Sequence, residues 1–356
     1  MCTFWSGLRK SYVLLVILTF PVSCRRCMFP HWAVTVLVAL RSLTFHRRWG
    51  GTMAERAMSS SSLPPTSASL PCRRLVVDQG FAHSKNEVIF CGSREAQDHV
   101  VFFPGDVQDY VENMEAHRDN KNWKQWNLEA VAELLSQRFP HSFIWVVKPS
   151  NMYLKTFSCY NFLACDVMGT PEYGDDPRYP TALHHLRLLL NNAARQVSSE
   201  LQQQVEGQED SCPSDQNGWQ DGRLLELPIT FVGFSKGCVV LNEILFELQE
   251  AKPIPELQQF LGRVKSMYWL DGGHQGGSNT WVTNEVTLRN FAELQVEVHV
   301  HVTPYQVNDT MRAWIGKEER LFVKRLKKVG LKVTETRHFE DEPRSLENHF
   351  KVLTVF

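Results

Sequence analysis

The sequence predicts an α/β protein built on a mostly parallel central sheet with helices on both faces. Three observations carry that prediction. After residue 72, strand-like and helix-like patterns alternate along the chain, which is what parallel strands joined by crossover helices require. Short apolar runs such as 143–147 and 229–232 are almost uninterrupted, as strands covered on both faces are. Gly233-Phe234-Ser235-Lys236-Gly237 stands between one such run and a helical stripe, a strand–turn–helix setting.

The elements follow in order. Residues 75–77, 88–91 and 99–103 read as strands. Asn127 is placed to cap a helix through 137, with Glu129 in its first turn favoured by the helix dipole. Residues 143–147 form an apolar strand, and 181–194 a helix with a Leu183, Leu186, Leu190 stripe. The stretch 197–222, rich in Gln, Ser, Asp and Gly, reads as a polar insertion. Strand 229–232, helix 238–250, strand 266–270 and helix 284–294 come next. Val296, Val298, Val300 and Val302 alternate with Glu297, His299, His301 and Thr303, the period of a strand with one polar face. A helix over 317–329 and a strand over 331–339 complete the series.

The N-terminal region differs in charge. Seven of the 38 Lys and Arg residues precede Glu55, and none of the 39 Asp and Glu residues does, so a net charge of -1 conceals a basic leader on an acidic body. Two apolar runs in the leader, 12–22 and 29–40, have 11 and 12 residues. A spanning helix needs about 20, so no integral membrane span is expected. Residues 1–52 read as a targeting leader, 53–72 as a linker, and 73–356 as the folded domain carrying the insertion. The acid-free, arginine-bearing leader fits mitochondrial import, and its apolar runs alternatively fit the secretory pathway. The acidic body argues against nucleic acid as a partner. The cysteines of the body are scattered, which suits buried thiols in a reducing compartment.

Ligand sites in such sheets lie at the carboxyl ends of strands, so chemistry is sought there. Ser235 sits at the tip of the GxSxG turn, where a nucleophile elbow holds its hydroxyl out of the sheet. A serine needs a base to take its proton and an acid to orient that base. The chain order Ser, Asp, His is met by Ser235 as nucleophile, Asp309 as orienting carboxylate and His349 as general base and acid. Asp271, at the end of strand 266–270, is the alternative acid; Asp309 is preferred because it follows the later strand. His274 and His338 are the competing histidines. The oxyanion hole is assigned to the main-chain N–H of Lys236 and that of Gly105 or Asp106 in the Pro-Gly turn after strand 99–103. No metal site is expected: His299 and His301 lack a third ligand and read as a solvated face, and His184 and His185 diverge around a helix. No nucleotide-binding fingerprint appears, so no cofactor is expected. Trp123, Trp126, Trp145, Trp269, Trp281 and Trp314 read as core or pocket walls.

On these residues the chain resembles a known family. Stretches 102–108 (FFPGDVQ), 143–147, 231–242 (FVGFSKGCVVLN), 267–283 (MYWLDGGHQGGSNTWVT), 302–307 (VTPYQV), 313–318 and 347–350 (ENHF) look like those of the mitochondrial family named chromosome 2 open reading frame 69. The resemblance runs from about residue 100 to the C-terminus, insertion excluded. It implies an α/β-hydrolase-like fold, residence in the mitochondrial matrix and a link to respiratory function or energy metabolism. It supplies no substrate. With Ser235 in its elbow, the expectation is an esterase or thioesterase acting on a small acyl substrate, or a catalytically silent scaffold that binds a mitochondrial protein partner.

Overall fold

A computed structural model describes residues 69–78, 84–173, 180–206 and 224–356. The leader, most of the linker and residues 207–223 lie outside the described residues. Along the chain come β1 (Ser69–Asp78), β2 (Lys85–Ser93), β3 (Asp98–Phe103), α1 (Val111–Glu115), a 3-10 turn at Asn120–Trp126, and α2 (Leu128–Arg138). Next are β4 (Ser142–Val147), a hairpin of β5 (Asn151–Tyr153) and β6 (Phe157–Cys159), and α3 (Thr181–Glu206). Then follow β7 (Ile229–Phe234), α4 (Cys238–Ala251), α5 (Pro255–Leu261), β8 (Val264–Leu270) and α6 (Glu285–Ala292). The chain ends with β9 (Glu297–Val302), α7 (Pro304–Val307), α8 (Trp314–Lys328), β10 (Val333–Arg337) and α9 (Leu346–Val355).

Eight strands form one sheet in the order β1-β2-β4-β3-β7-β8-β9-β10. β2 runs antiparallel to β1 and β4, and every pair from β4 to β10 is parallel. That order, with crossover helices on both faces, is the α/β-hydrolase fold. The alternation inside each central strand shows how the two faces are filled. Val101, Phe103, Ile229 and Phe231 join the apolar cluster under α3, α4, α6 and α8. Val100, Phe102, Val232 and Phe234 join a second cluster under α2 and α9. Trp145, Trp269 and Trp281 are all buried, as expected for core.

The caps are local, and that at Asn127 was expected. Asn127 Oδ1 accepts the Ala130 N–H at 2.8 Å and opens α2, and Asn284 Oδ1 does the same for Val286 at 2.9 Å. Three expectations need correction. The segment expected to be a polar insertion from 197 is helical as far as Glu206, because Val197 and Leu201 continue the apolar stripe of α3 into the core. The cysteines of the body are not all thiols: Cys91 forms a disulfide with Cys72 across the β1–β2 ladder, while Cys159, Cys165 and Cys238 are free. The polar face of β9 is not solvated throughout, since His301 is buried and its Nδ1 lies 2.9 Å from His338 Nε2.

Candidate active site

β7 delivers Ser235 to the carboxyl edge of the sheet. Its φ is 52°, in the left-handed region that non-glycine residues seldom occupy, and a short 3-10 turn leads at once into α4. The flanking glycines are required by contact. A Cβ on Gly237 would lie 1.9 Å from the Phe103 carbonyl oxygen, and one on Gly233 would lie 2.9 Å from Cys238 Cα. The elbow is thus wedged between the end of β3 and the start of α4.

α9 brings His349 to this edge. Ser345 Oγ caps the helix by accepting the Asn348 N–H at 3.1 Å, and Phe350, Val352 and Leu353 anchor its apolar side. The imidazole lies between two rings, with centroids 4.7 Å from both Phe234 and Tyr305. Its Nδ1 is 2.7 Å from Asp271 Oδ2. Asp271 is fully buried and accepts two further hydrogen bonds, from the Thr303 N–H at 2.8 Å and the Thr303 hydroxyl at 2.6 Å. With Nδ1–H donating to the carboxylate, the Nε2 lone pair is left to accept a proton. Among the described residues no hydrogen bond joins Ser235 Oγ to His349; such bonds often form only with substrate in place.

Asp309 is placed elsewhere. Its Oδ2 is held by Arg312 Nε at 2.8 Å and Arg344 Nη2 at 2.6 Å, and its Oδ1 accepts the Met311 and Arg312 N–H groups. Its contact with the site is indirect: Arg344 lies over the Tyr305 ring, at 5.0 Å from the centroid, and Tyr305 packs on His349. The expected pairing of His349 with Asp309 is therefore corrected to Asp271. The reason lies in the partners: Arg312, Arg344 and two main-chain N–H groups occupy both oxygens of Asp309, whereas Asp271 ends β8 and its Oδ2 meets His349 of α9.

The competing histidines are also placed. His274 accepts the Gly276 N–H on Nδ1 at 3.0 Å, so its Nε2 carries the proton and faces the Asn279 carbonyl. Burial holds its pKa down at about 4, and it serves to shape its own loop. His338 is engaged by His301.

At the oxyanion position, Gly105 presses against the nucleophile: a Cβ there would lie 2.6 Å from Ser235 Cβ. Its N–H, however, donates to Gln108 Oε1 at 3.0 Å, which removes it as an oxyanion donor. The Asp106 N–H makes no hydrogen bond among the described residues. Lys236 stands second in the 3-10 turn, where main-chain N–H groups have no helical partner. Sequence reasoning missed Thr303, Tyr305 and Gln108; Thr303 had a signal, since it closes β9 at the same sheet edge. Among the described residues no group of His, Cys, Asp and Glu is placed to hold a metal, and no helix is long and apolar enough to cross a membrane.

Fold and edge geometry define a protein of the α/β-hydrolase class. The sequence profile of the C2orf69 family matches residues 75–220 and 202–332. A mouse protein named mitochondrial protein C2orf69 homolog is 41% identical over 90% of this chain and 97% of its own. The human mitochondrial protein C2orf69 is 45% identical over 73% of this chain and 74% of its own. The chain belongs to the C2orf69 family, and with these relatives it is mitochondrial. Among solved structures, esterase Est22 is 11% identical with a TM-score of 0.39, covering 80% of this chain and 76% of its own. An esterase of Pyrobaculum calidifontis is 13% identical with a TM-score of 0.39, covering 80% of this chain and 82% of its own.

Proposed function

We propose that the chain is a serine hydrolase of the mitochondrial matrix, with Ser235 as nucleophile, His349 as general base and acid, and Asp271 as the orienting carboxylate. The observation that carries this reading is the 2.7 Å bond between buried Asp271 and His349, made beside a serine held at φ 52°. In the first step His349 Nε2 takes the Ser235 proton while Oγ adds to the acyl carbon of an ester or thioester. The developing oxyanion is received by the N–H groups of Asp106 and Lys236. His349 then gives its proton to the departing alcohol or thiol, leaving an acyl-enzyme. Water attacks by the same route in reverse, which releases the acid and restores Ser235.

Treating the purified protein with a fluorophosphonate probe tests the reading. Wild type is expected to label at Ser235 and Ser235→Ala is expected not to. A folded wild type that stays unlabelled overturns it.

The second reading is a silent scaffold that binds a mitochondrial partner. It is favoured by the missing Ser235–His349 bond and by the buried charge of Lys236. Rescue of respiration in cells lacking the protein separates the two, with full rescue by Ser235→Ala supporting the scaffold. In either case residues 1–52 serve as the import leader and 53–68 as its linker; the expected boundary after Cys72 moves back to Ser69, where β1 joins the sheet and from which the working domain runs.

A further inference from the structure

The elbow carries a charged residue where a strand–turn–helix turn does not need one. The Lys236 side chain is 1% exposed, and an ammonium is seldom withdrawn from water unless it is paired. Its Nζ donates to the Met168 carbonyl and lies 3.5 Å from Asp106 Oδ1. The same Asp106 oxygen accepts the Ser158 N–H at 2.8 Å and the Ser158 hydroxyl at 3.0 Å. One carboxylate oxygen therefore gathers the elbow, the loop after β3, and β6.

That loop is held from the hairpin at every second residue. The Thr156 carbonyl accepts the Val107 N–H at 2.7 Å, Ser158 donates to Asp106, and Tyr160 Oη donates to the Pro104 carbonyl at 2.6 Å. Val107 has a φ of 74°, which a β-branched residue adopts only when its surroundings impose it. The turn that follows is seated on the ammonium. Gly169 has a φ of +73°, and a Cβ there would lie 2.3 Å from the Ser158 carbonyl oxygen and 3.1 Å from Lys236 Nζ. Burial holds the Asp106 carboxyl above the usual carboxylate range, and the Lys236 ammonium and the Ser158 donors oppose that rise.

We propose that the Asp106–Lys236 ion pair is a positioning device: it aims the main-chain N–H groups of both residues at the oxyanion and fastens residues 156–170 beside Ser235. This rests on the serine-hydrolase reading and deepens it. The two N–H groups come from separate segments, one after β3 and one after β7. A side-chain bond between their own residues fixes the spacing between the donors, the quantity that oxyanion stabilisation depends on.

The test uses the full chain with Lys236→Met, Asp106→Asn, Lys236→Arg and the Met/Asn double variant. The double variant removes both charges, so neither is left buried alone. Fluorophosphonate labelling gives kinact and KI separately, and amide hydrogen exchange reports on residues 156–170. The double variant is expected to lower kinact by about 100-fold, the scale of one lost oxyanion donor. Its KI should stay within about twofold, because the donors act on the developing charge and not on the resting probe. Exchange over 156–170 is expected to rise by about tenfold, and Lys236→Arg to recover part of both effects. A double variant with wild-type kinact overturns the proposal while Ser235 labelling in the wild type leaves the hydrolase reading standing. If folded wild type does not label, the hydrolase reading and the oxyanion role fail together. Unchanged exchange over 156–170 then removes the fastening role as well.

Discussion

The loops that follow β8 and β9 each begin near the carboxyl edge of the sheet, each carries a buried aspartate, and they use it in opposite ways. Asp271 is satisfied by the Thr303 N–H, the Thr303 hydroxyl and His349, none of which is a permanent cation. Asp309 is satisfied by two guanidiniums and two main-chain N–H groups. An arginine pair fixes a carboxylate by charge and leaves nothing to hand on, which suits a structural joint. A carboxylate whose one strong partner is an imidazole can stabilise an imidazolium when it forms, which suits catalysis. Position after a strand is thus shared by both, and the donors around each carboxylate separate them.

The largest expected effect tests that separation directly. Asp271→Asn should lower the rate of Ser235 labelling by about 10⁴-fold, because an amide at that site favours the wrong imidazole tautomer. Asp309→Asn should change the rate by less than about tenfold, or about 1.4 kcal/mol. It should instead cost about 2 kcal/mol of stability, since the amide NH₂ would face Arg312 and Arg344. Labelling kinetics and urea unfolding on both variants decide the matter. Equal losses of rate would break the comparison.

This contrast also shows where the sequence was readable. The strand–turn–helix context singled out Ser235, and the wedge of Gly233 and Gly237 is the physical reason that pattern is informative. The helix cap at Asn127 was legible because capping is local, while Asn284, read as the first residue of its helix, caps that helix from outside. The choice between Asp309 and Asp271 was not. It turns on whether an arginine three residues away and another 35 residues on close over the carboxylate, a tertiary fact that spacing does not encode. The hairpin of β5 and β6 was missed for a similar reason: its strands have three residues each, too few to show a period. Nothing in the leader's composition bears on the site.

A third carboxylate sharpens the rule. Glu319 on α8 is fully buried, with Oε2 at 3.0 Å from Arg337 and Oε1 without a partner among the described residues. Burial outweighs the single arginine and raises its pKa from 4.5 to about 7. A carboxyl that binds its proton more tightly when folded stabilises the fold most below about pH 4.5 and loses that contribution as the pH rises to about 7. Stability of the wild type relative to Glu319→Gln should therefore fall by about 1–3 kcal/mol between pH 5 and pH 8. A constant difference in urea unfolding across that range would show that one arginine suffices, and that Asp309 does not need two.

The smallest effect is expected at Thr303, the residue through which the two loops meet. It closes β9, opens α7 by accepting the Tyr305 N–H at 3.2 Å, and turns its own N–H and hydroxyl back onto Asp271. Thr303→Val keeps the main-chain donor and the side-chain shape but deletes the hydroxyl. Asp271 then loses one of three donors, worth about 1 kcal/mol. If orientation of His349 is shared among those donors, labelling of Ser235 should slow by about fivefold, the rate equivalent of that loss. Unfolding should show that loss together with the lost cap of the Tyr305 N–H, about 1–2 kcal/mol in all. If the rate falls as far as in Asp271→Asn, the hydroxyl rather than the carboxylate sets the imidazole. The distinction between the β8 and β9 loops would then lie in a β9-loop residue that bonds the β8 aspartate.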